Sequence, residues 1–120
     1  MFNKKELGKI GEDYAAQHLI KSGYSIIHRN FRTKFGEIDI IARDGKYLVF
    51  VEVKTRRSKE FGYPREAVDS YKQVRIKNLA NLYLAKKKLF SEYTRFDVVE
   101  VFVDENNLAK SIYLIKNAFE

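Results

Sequence analysis

Between Gly36 and Lys54 the chain reads GEIDIIARDGKYLVFVEVK, two strongly apolar strand-like stretches with Glu37, Asp39, Glu52 and Lys54 set inside them. Ionised side chains are rarely buried unless they are paired or bind a metal, so a fold built on this run must find partners for them. Side chains alternate across a sheet, which places Glu37 and Asp39 on one face with Ile38 and Ile40 on the other, and sets Glu52 and Lys54 on the face of Leu48 and Phe50. Asp44-Gly45 is a strong two-residue hairpin signal. A turn there makes Ile41 face Leu48, Asp39 face Phe50 and Glu37 face Glu52, with Asp39 diagonal to Glu52 at roughly 7–8 Å. Three carboxylates and an ammonium are then expected on one patch of sheet.

Like charges directly across a strand pair are destabilising, and a divalent cation resolves the conflict. Mg²⁺ and Mn²⁺ take hard oxygen ligands and keep coordination positions open for water and phosphate. Asp39, Glu52 and Glu37 are therefore the candidate metal ligands. Lys54 falls beside them, placed to orient or deprotonate an attacking water or to hold a phosphate. The alternative is an exposed strand with a Glu–Lys pair on its polar edge. Val49, Val51 and Val53 on one face, with Leu48 and Phe50 on the other, argue instead for a strand covered on both sides.

Asp39 followed by Glu52-Val53-Lys54 resembles the PD-(D/E)XK nuclease signature, with Ile38 standing where the proline would be. Together with Gly11-Glu12, Gly36-Glu37-Ile38-Asp39, Phe50-Val51-Glu52-Val53-Lys54 and Arg95-Phe96-Asp97, it resembles the small bacterial YraN family, which is similar to archaeal Holliday junction resolvases. The resemblance covers nearly the whole chain. It implies a restriction-endonuclease-like core, phosphodiester hydrolysis in branched or distorted DNA with Mg²⁺ or Mn²⁺, and a catalytic set of Asp39, Glu52, Lys54 and Glu12. Resolvases cut two strands symmetrically, so it also implies a homodimer.

The expected organisation is one α/β domain over residues 1–120, ordered α-β-β-β-α-β-β, with a central mixed sheet flanked by helices. Lys4 to Ser22 has helical apolar spacing and Gly23 as its stop; Tyr24 to Phe31 is the first strand, and the hairpin follows. Thr55 to Pro64 reads as a polar loop. Arg65 to Leu89 reads as a long helix, Arg95 to Val103 as a strand, and Ile112 to Ile115 as the last one, after a turn over Asp104 to Asn107.

On the first helix Glu12 points roughly 20° from Leu19, at the margin of the buried face. It can reach a site at the sheet edge, or serve as an ordinary solvated glutamate; the resemblance favours the first. The second helix shows Val68, Tyr71, Ile76, Leu79, Leu82 and Tyr83 as its apolar stripe, yet Lys72 falls between Leu79 and Tyr83. Lys72 either snorkels to water or points over the sheet toward a phosphate, a role for which Gln73 competes.

The chain carries 23 Lys plus Arg against 16 Asp plus Glu, a formal charge of +7. That balance favours polyanions and so a nucleic-acid partner, which the resemblance implies to be DNA. Arg56, Arg57 and Lys59 leave the catalytic strand and are expected on the phosphodiester backbone, whereas Lys86-Lys87-Lys88 better suits a helix C-terminus. Phe61 and Tyr63 are placed to wedge against or stack on an unpaired base. Without cysteine there are no disulfides, thiolate-bound zinc or Cys nucleophiles. His18 and His28 have no partner at zinc-ligand spacing, and neither a phosphate-binding Gly-Lys-Ser/Thr loop nor a serine nucleophile elbow is present. No signal-peptide pattern or membrane span is apparent, so a cytoplasmic protein with no membrane partner is expected. A non-catalytic nucleic-acid-binding or assembly protein, or a scaffold recruiting another DNA-processing factor, is the alternative to a nuclease.

Overall fold

The computed structural model describes residues 3–57, 69–89 and 92–120. Its elements run α1 (Lys4–Lys21), β1 (Ser25–Thr33), β2 (Gly36–Asp44), β3 (Tyr47–Arg57), α2 (Ser70–Lys87), β4 (Tyr93–Val103) and β5 (Ala109–Phe119). The strands form one sheet in the order β1-β2-β3-β4-β5, antiparallel throughout except for the parallel pair β3 and β4. A parallel pair needs a long crossover, and α2 lies in that connection.

Alternation along β3 sorts the core into two layers. Val49 and Val51 join Ile40, Ala42, Val99 and Val101 under α1, where Ala15, Ala16 and Leu19 cover them. Leu48 and Phe50 join Ile41 on the other face, covered by Leu79, Ala80 and Tyr83 of α2. The result is the expected mixed α/β arrangement, with a helix on each face.

Local signals account for the helix ends. Asn3 and Glu6 form a reciprocal capping box on α1, and Gly23 follows its end with φ +96°. Asp69 caps α2 by accepting a hydrogen bond from the Lys72 backbone N–H at 2.8 Å. Because Asp69 is extended, α2 starts at Ser70 rather than at Arg65. Val68 of the expected stripe, the remainder of the expected polar loop with Lys59, Phe61 and Tyr63, and Arg65 lie outside the described residues. Tyr71 and Leu82, also assigned to that stripe, are exposed; the face that packs is Ile76, Leu79, Ala80 and Tyr83.

The hairpin differs from its expected register by two residues. Asp44 pairs with Tyr47 and Ile41 with Phe50, so the turn residues are Gly45 and Lys46, with Gly45 at φ +59°. Asp44 is drawn into the ladder by Arg95, whose Nη2 donates to its carboxylate at 2.7 Å. Arg95 in turn holds the fully buried Asp97, which also accepts from the Tyr24 hydroxyl at 2.6 Å. A slip of two leaves every side chain on its original face but changes its opposite partner. A second departure lies at Asp39. Ile38 packs with Ile41 on the α2 side while Ile40 packs on the α1 side, so strict alternation breaks between them. In β1 the break is matched at Asn30, which adopts the left-handed conformation at φ +55° between the pairs Arg29–Ile40 and Phe31–Ile38.

β3 continues through Thr55, Arg56 and Arg57 because β4 offers them parallel partners in Val101, Phe102 and Val103. β5 is longer than its apolar centre suggested, since much of it is an exposed edge held by backbone pairing. Gly11 sets the approach of α1. A Cβ there would lie 1.7 Å from Thr55 Oγ1 and 2.8 Å from Thr55 Cβ. Gly11→Ala should therefore lower stability by about 1–3 kcal/mol through overpacking, against a helix-propensity gain of about 1 kcal/mol at most. Urea unfolding measures the balance, and a stabilised variant would show that the helix can slide away from β3 without loss.

Candidate active site

The β2–β3 ladder ends at Ile40 and Val51. One step further Asp39 Oδ2 accepts the Val53 backbone N–H at 2.8 Å, so a side chain takes the bond that a strand carbonyl would have made. This brings an acidic group into the seam where the strands part. Glu12 reaches the same place from α1, directly after the glycine that lets the helix touch β3. Glu37 reaches it from the start of β2. One carboxylate oxygen from each of Glu12, Glu37 and Asp39 lies within 4.8 Å of the others.

Neighbouring groups compensate these charges unevenly. Glu12 accepts from Asn30 Nδ2 at 2.8 Å and has Arg29 Nη2 at 3.8 Å. Glu37 pairs with Arg32 at 2.8 Å, and Glu52, only 7% exposed, pairs with Lys72 Nζ at 2.5 Å. Among the described residues Asp39 alone of the four has no cation paired with it. Burial pushes its carboxyl up from the ordinary 3.8 to about 8, with the Glu52 charge adding to the rise, the Val53 N–H opposing it, and Glu12 and Glu37 adding further.

Lys54 is half-buried on the same strand face as Glu52 and level with Glu100 of β4. Burial draws its pKa down, as does the Lys72 charge, while Glu52 opposes the shift; Arg56 adds to it and Glu100 opposes it. Glu100 is fully buried, with Arg56 Nε at 3.7 Å from its Oε2. Sequence reasoning missed Glu100. Its signal was a single acid within the apolar run Val98-Val99-Glu100-Val101-Phe102-Val103.

The structure therefore divides the candidate residues. Glu12, Glu37 and Asp39 form the close carboxylate group, and Glu52 adjoins Asp39 electrostatically while facing Lys72. Lys72 lies in the first turn of α2, in helical line with the buried Ile76, Leu79 and Tyr83, and its half-buried side chain brings the ammonium to Glu52. Gln73 is half-buried beside it. Arg57 donates to the Asp104 carbonyl at 2.8 Å and to Asn107 Oδ1 at 2.6 Å, which fastens the end of β3 to the β4–β5 turn. Arg56 is half-buried against Glu100. The close trio offers only hard oxygen donors around a partly solvated gap, a donor set that fits Mg²⁺ or Mn²⁺.

Asp39 binds more protons in the folded chain than in the unfolded one between pH about 4 and about 8, so its contribution to stability falls as pH rises through that window. Asp39→Asn keeps an acceptor for the Val53 N–H and removes the charge. In EDTA the variant should gain stability over the wild type between pH 5 and pH 8. Mn²⁺ at 100 times its Kd should stabilise the wild type by about 2.7 kcal/mol at pH 8 and leave the variant unchanged. Urea titrations at the two pH values measure both effects; an equally large metal response in the variant would remove Asp39 from the metal site.

Residues 11–101, from the glycine before Glu12 to the residue after Glu100, match the model of a family described as uncharacterised protein family UPF0102. Relatives with the same description include a protein of Caldicellulosiruptor saccharolyticus, 53% identical over 98% of this chain and 99% of its own length. Another, from Clostridium kluyveri, is 48% identical over 99% of this chain and 97% of its own. A third, from Dictyoglomus thermophilum, is 44% identical over 98% and 99% respectively. On this agreement across nearly the full length, the chain belongs to the UPF0102 family.

Proposed function

We propose that this protein is a Mg²⁺- or Mn²⁺-dependent endonuclease with a restriction-endonuclease-like core, cutting phosphodiesters in branched or distorted DNA. The observation that carries the reading is Asp39: a half-buried carboxylate with three acidic neighbours and no paired cation among the described residues. Structural carboxylates are normally given cations by the fold, as Glu52 is by Lys72 and Asp97 by Arg95. A site that withholds one is arranged for a cation from solution.

In this reading Asp39, Glu12 and Glu37 hold the metal, with Glu52 joining them on release from Lys72. The metal would supply Lewis-acid stabilisation of charge on the phosphate and a more acidic bound water. Lys54 directs the attacking water or holds a phosphate oxygen, and Glu100 keeps that side chain in place. Arg56 continues the cationic line along β3 toward the backbone of the bound strand. A cytoplasmic location and a homodimer that makes paired cuts accord with this function. No helix among the described residues is long and apolar enough to cross a membrane.

The Glu52–Lys72 pair favours a second reading. It satisfies Glu52 without any metal, as a non-catalytic nucleic-acid-binding protein would require. Cleavage of single-stranded, duplex, flapped and four-way DNA with each metal separates the two, with Glu52→Ala as control. Lys54→Ala should lower the cleavage rate at least about 100-fold and leave DNA affinity nearly unchanged. Arg56→Ala should weaken binding to all sequences and reduce the salt slope by about 0.9 if one duplex phosphate contact is lost. A wild-type protein that binds DNA with a steep salt dependence and cuts no substrate would establish the second reading.

A further inference from the structure

Opposite the sheet-facing side of α2, Tyr71, Val74 and Leu82 form an outward apolar stripe. With Leu79, Arg75 and Phe35 of the β1–β2 turn they line an open groove of about 500 Å³. Both aromatic rings are strongly exposed, Phe35 at 62% and Tyr71 at 78%. Folding gains little from leaving them in water, and contiguous exposed apolar surface on a soluble domain commonly marks a binding site.

The groove's charge narrows the choice of occupant. Among the described residues Arg75 is its one charged lining residue, and Lys34 Nζ lies 5.3 Å from the Phe35 ring centroid. No carboxylate lines it among the described residues. An apolar floor, two exposed rings and a cationic rim suit a ligand with flat π-faces on an anionic backbone, which describes unpaired nucleotides. Its size lies within the range of small-molecule sites.

Both walls of the groove are close in sequence to residues of the carboxylate centre. Phe35 is two residues before Glu37, and Gly36 between them packs toward Leu79 and Arg75, which a Cβ there would meet at 3.5 and 3.6 Å. Tyr71 precedes Lys72, whose ammonium pairs with Glu52. A strand passing the carboxylates therefore has this groove beside it. We infer that Phe35 and Tyr71 form a stacking site for unpaired bases, so that the protein selects DNA with a single-stranded branch next to the bond at the metal centre. The inference deepens the nucleic-acid reading above and rests on it.

The test measures binding in EDTA, where cleavage plays no part. Fluorescence anisotropy compares a duplex bearing a single-stranded flap with a blunt duplex of the same length. The wild type should prefer the flap. Phe35→Ala and Tyr71→Ala should each weaken flap binding roughly 5- to 150-fold, the range for one lost base–aromatic stack, and leave blunt-duplex affinity unchanged. Tyr71→Phe keeps the ring and should bind as the wild type does. Both positions are exposed, so melting temperatures should hold steady. Equal losses on both DNAs, no loss on either, or loss in Tyr71→Phe would overturn the stacking site. So would a wild-type dimer that the alanine variants dissociate, which would assign the groove to a second copy of the chain. Flap preference that depends on the two rings without cleavage in either metal would leave the stacking site standing and remove the nuclease reading.

Discussion

The structure around the candidate site depends on a ladder that stops early. From Asp44–Tyr47 to Ile40–Val51, β2 and β3 are joined by backbone pairing, and beyond that the Asp39 carboxylate replaces a strand carbonyl as acceptor for the Val53 N–H. A carbonyl would have brought a dipole into the seam; Asp39 brings an ionisable group. The change in alternation at Asp39 and the left-handed Asn30 beside it belong to the same event. The displaced backbone lets Asn30 turn its amide to Glu12, and so the irregularity helps hold the second carboxylate near the first.

Compensation around this seam is distributed by layer. Arg29 and Asn30 serve Glu12, and Arg32 serves Glu37 at the sheet margin, whereas Lys72 approaches Glu52 from beneath α2. Each partner comes from an element that the core has already fixed. Asp39 lies among them all and, among the described residues, receives only a backbone N–H, a neutral donor that opposes its raised pKa without cancelling it. The far end of the sheet shows the contrasting solution. Asp97 is fully buried, where Asp39 is only half-buried, but Arg95, Tyr24 and the Asn117 N–H all donate to it, which closes that site to any further ligand.

Most of the architecture was legible in the sequence because period and punctuation agree: the element order, the helix after Asn3, and the strands around Val49 and Val99 follow from apolar spacing. The hairpin register was not, because Asp44 answers to Arg95, distant in sequence, and that bond outweighs the local preference for an Asp-Gly turn. The outward apolar stripe on α2 misled for a related reason. Tyr71 and Leu82 have helical spacing, and spacing alone cannot say which of two apolar stripes meets the sheet. At the site, Glu37, Asp39, Glu52 and Lys54 were visible as charges in apolar strands. The pairing of Lys72 with Glu52 and the tie of Arg57 to the β4–β5 turn required the tertiary structure, since in each case the partner lies on another element.

Glu100 gives the lysine side of the site its order. A free lysine side chain carries about 2 kcal/mol of rotamer entropy, and a reaction that had to immobilise it would meet that cost at each turnover. Here Lys54 extends from a strand paired on both sides at its start, stands level with a fully buried carboxylate, and is half-buried itself. Glu100 draws both Lys54 and Arg56 electrostatically toward β4, while Glu52 draws Lys54 toward the carboxylates. The two attractions act on the ammonium from opposite sides, Glu52 from the side of the carboxylates and Glu100 from β4. On the proposed function, part of that restriction is met during folding, so that a phosphate would meet a cation already confined near the carboxylates.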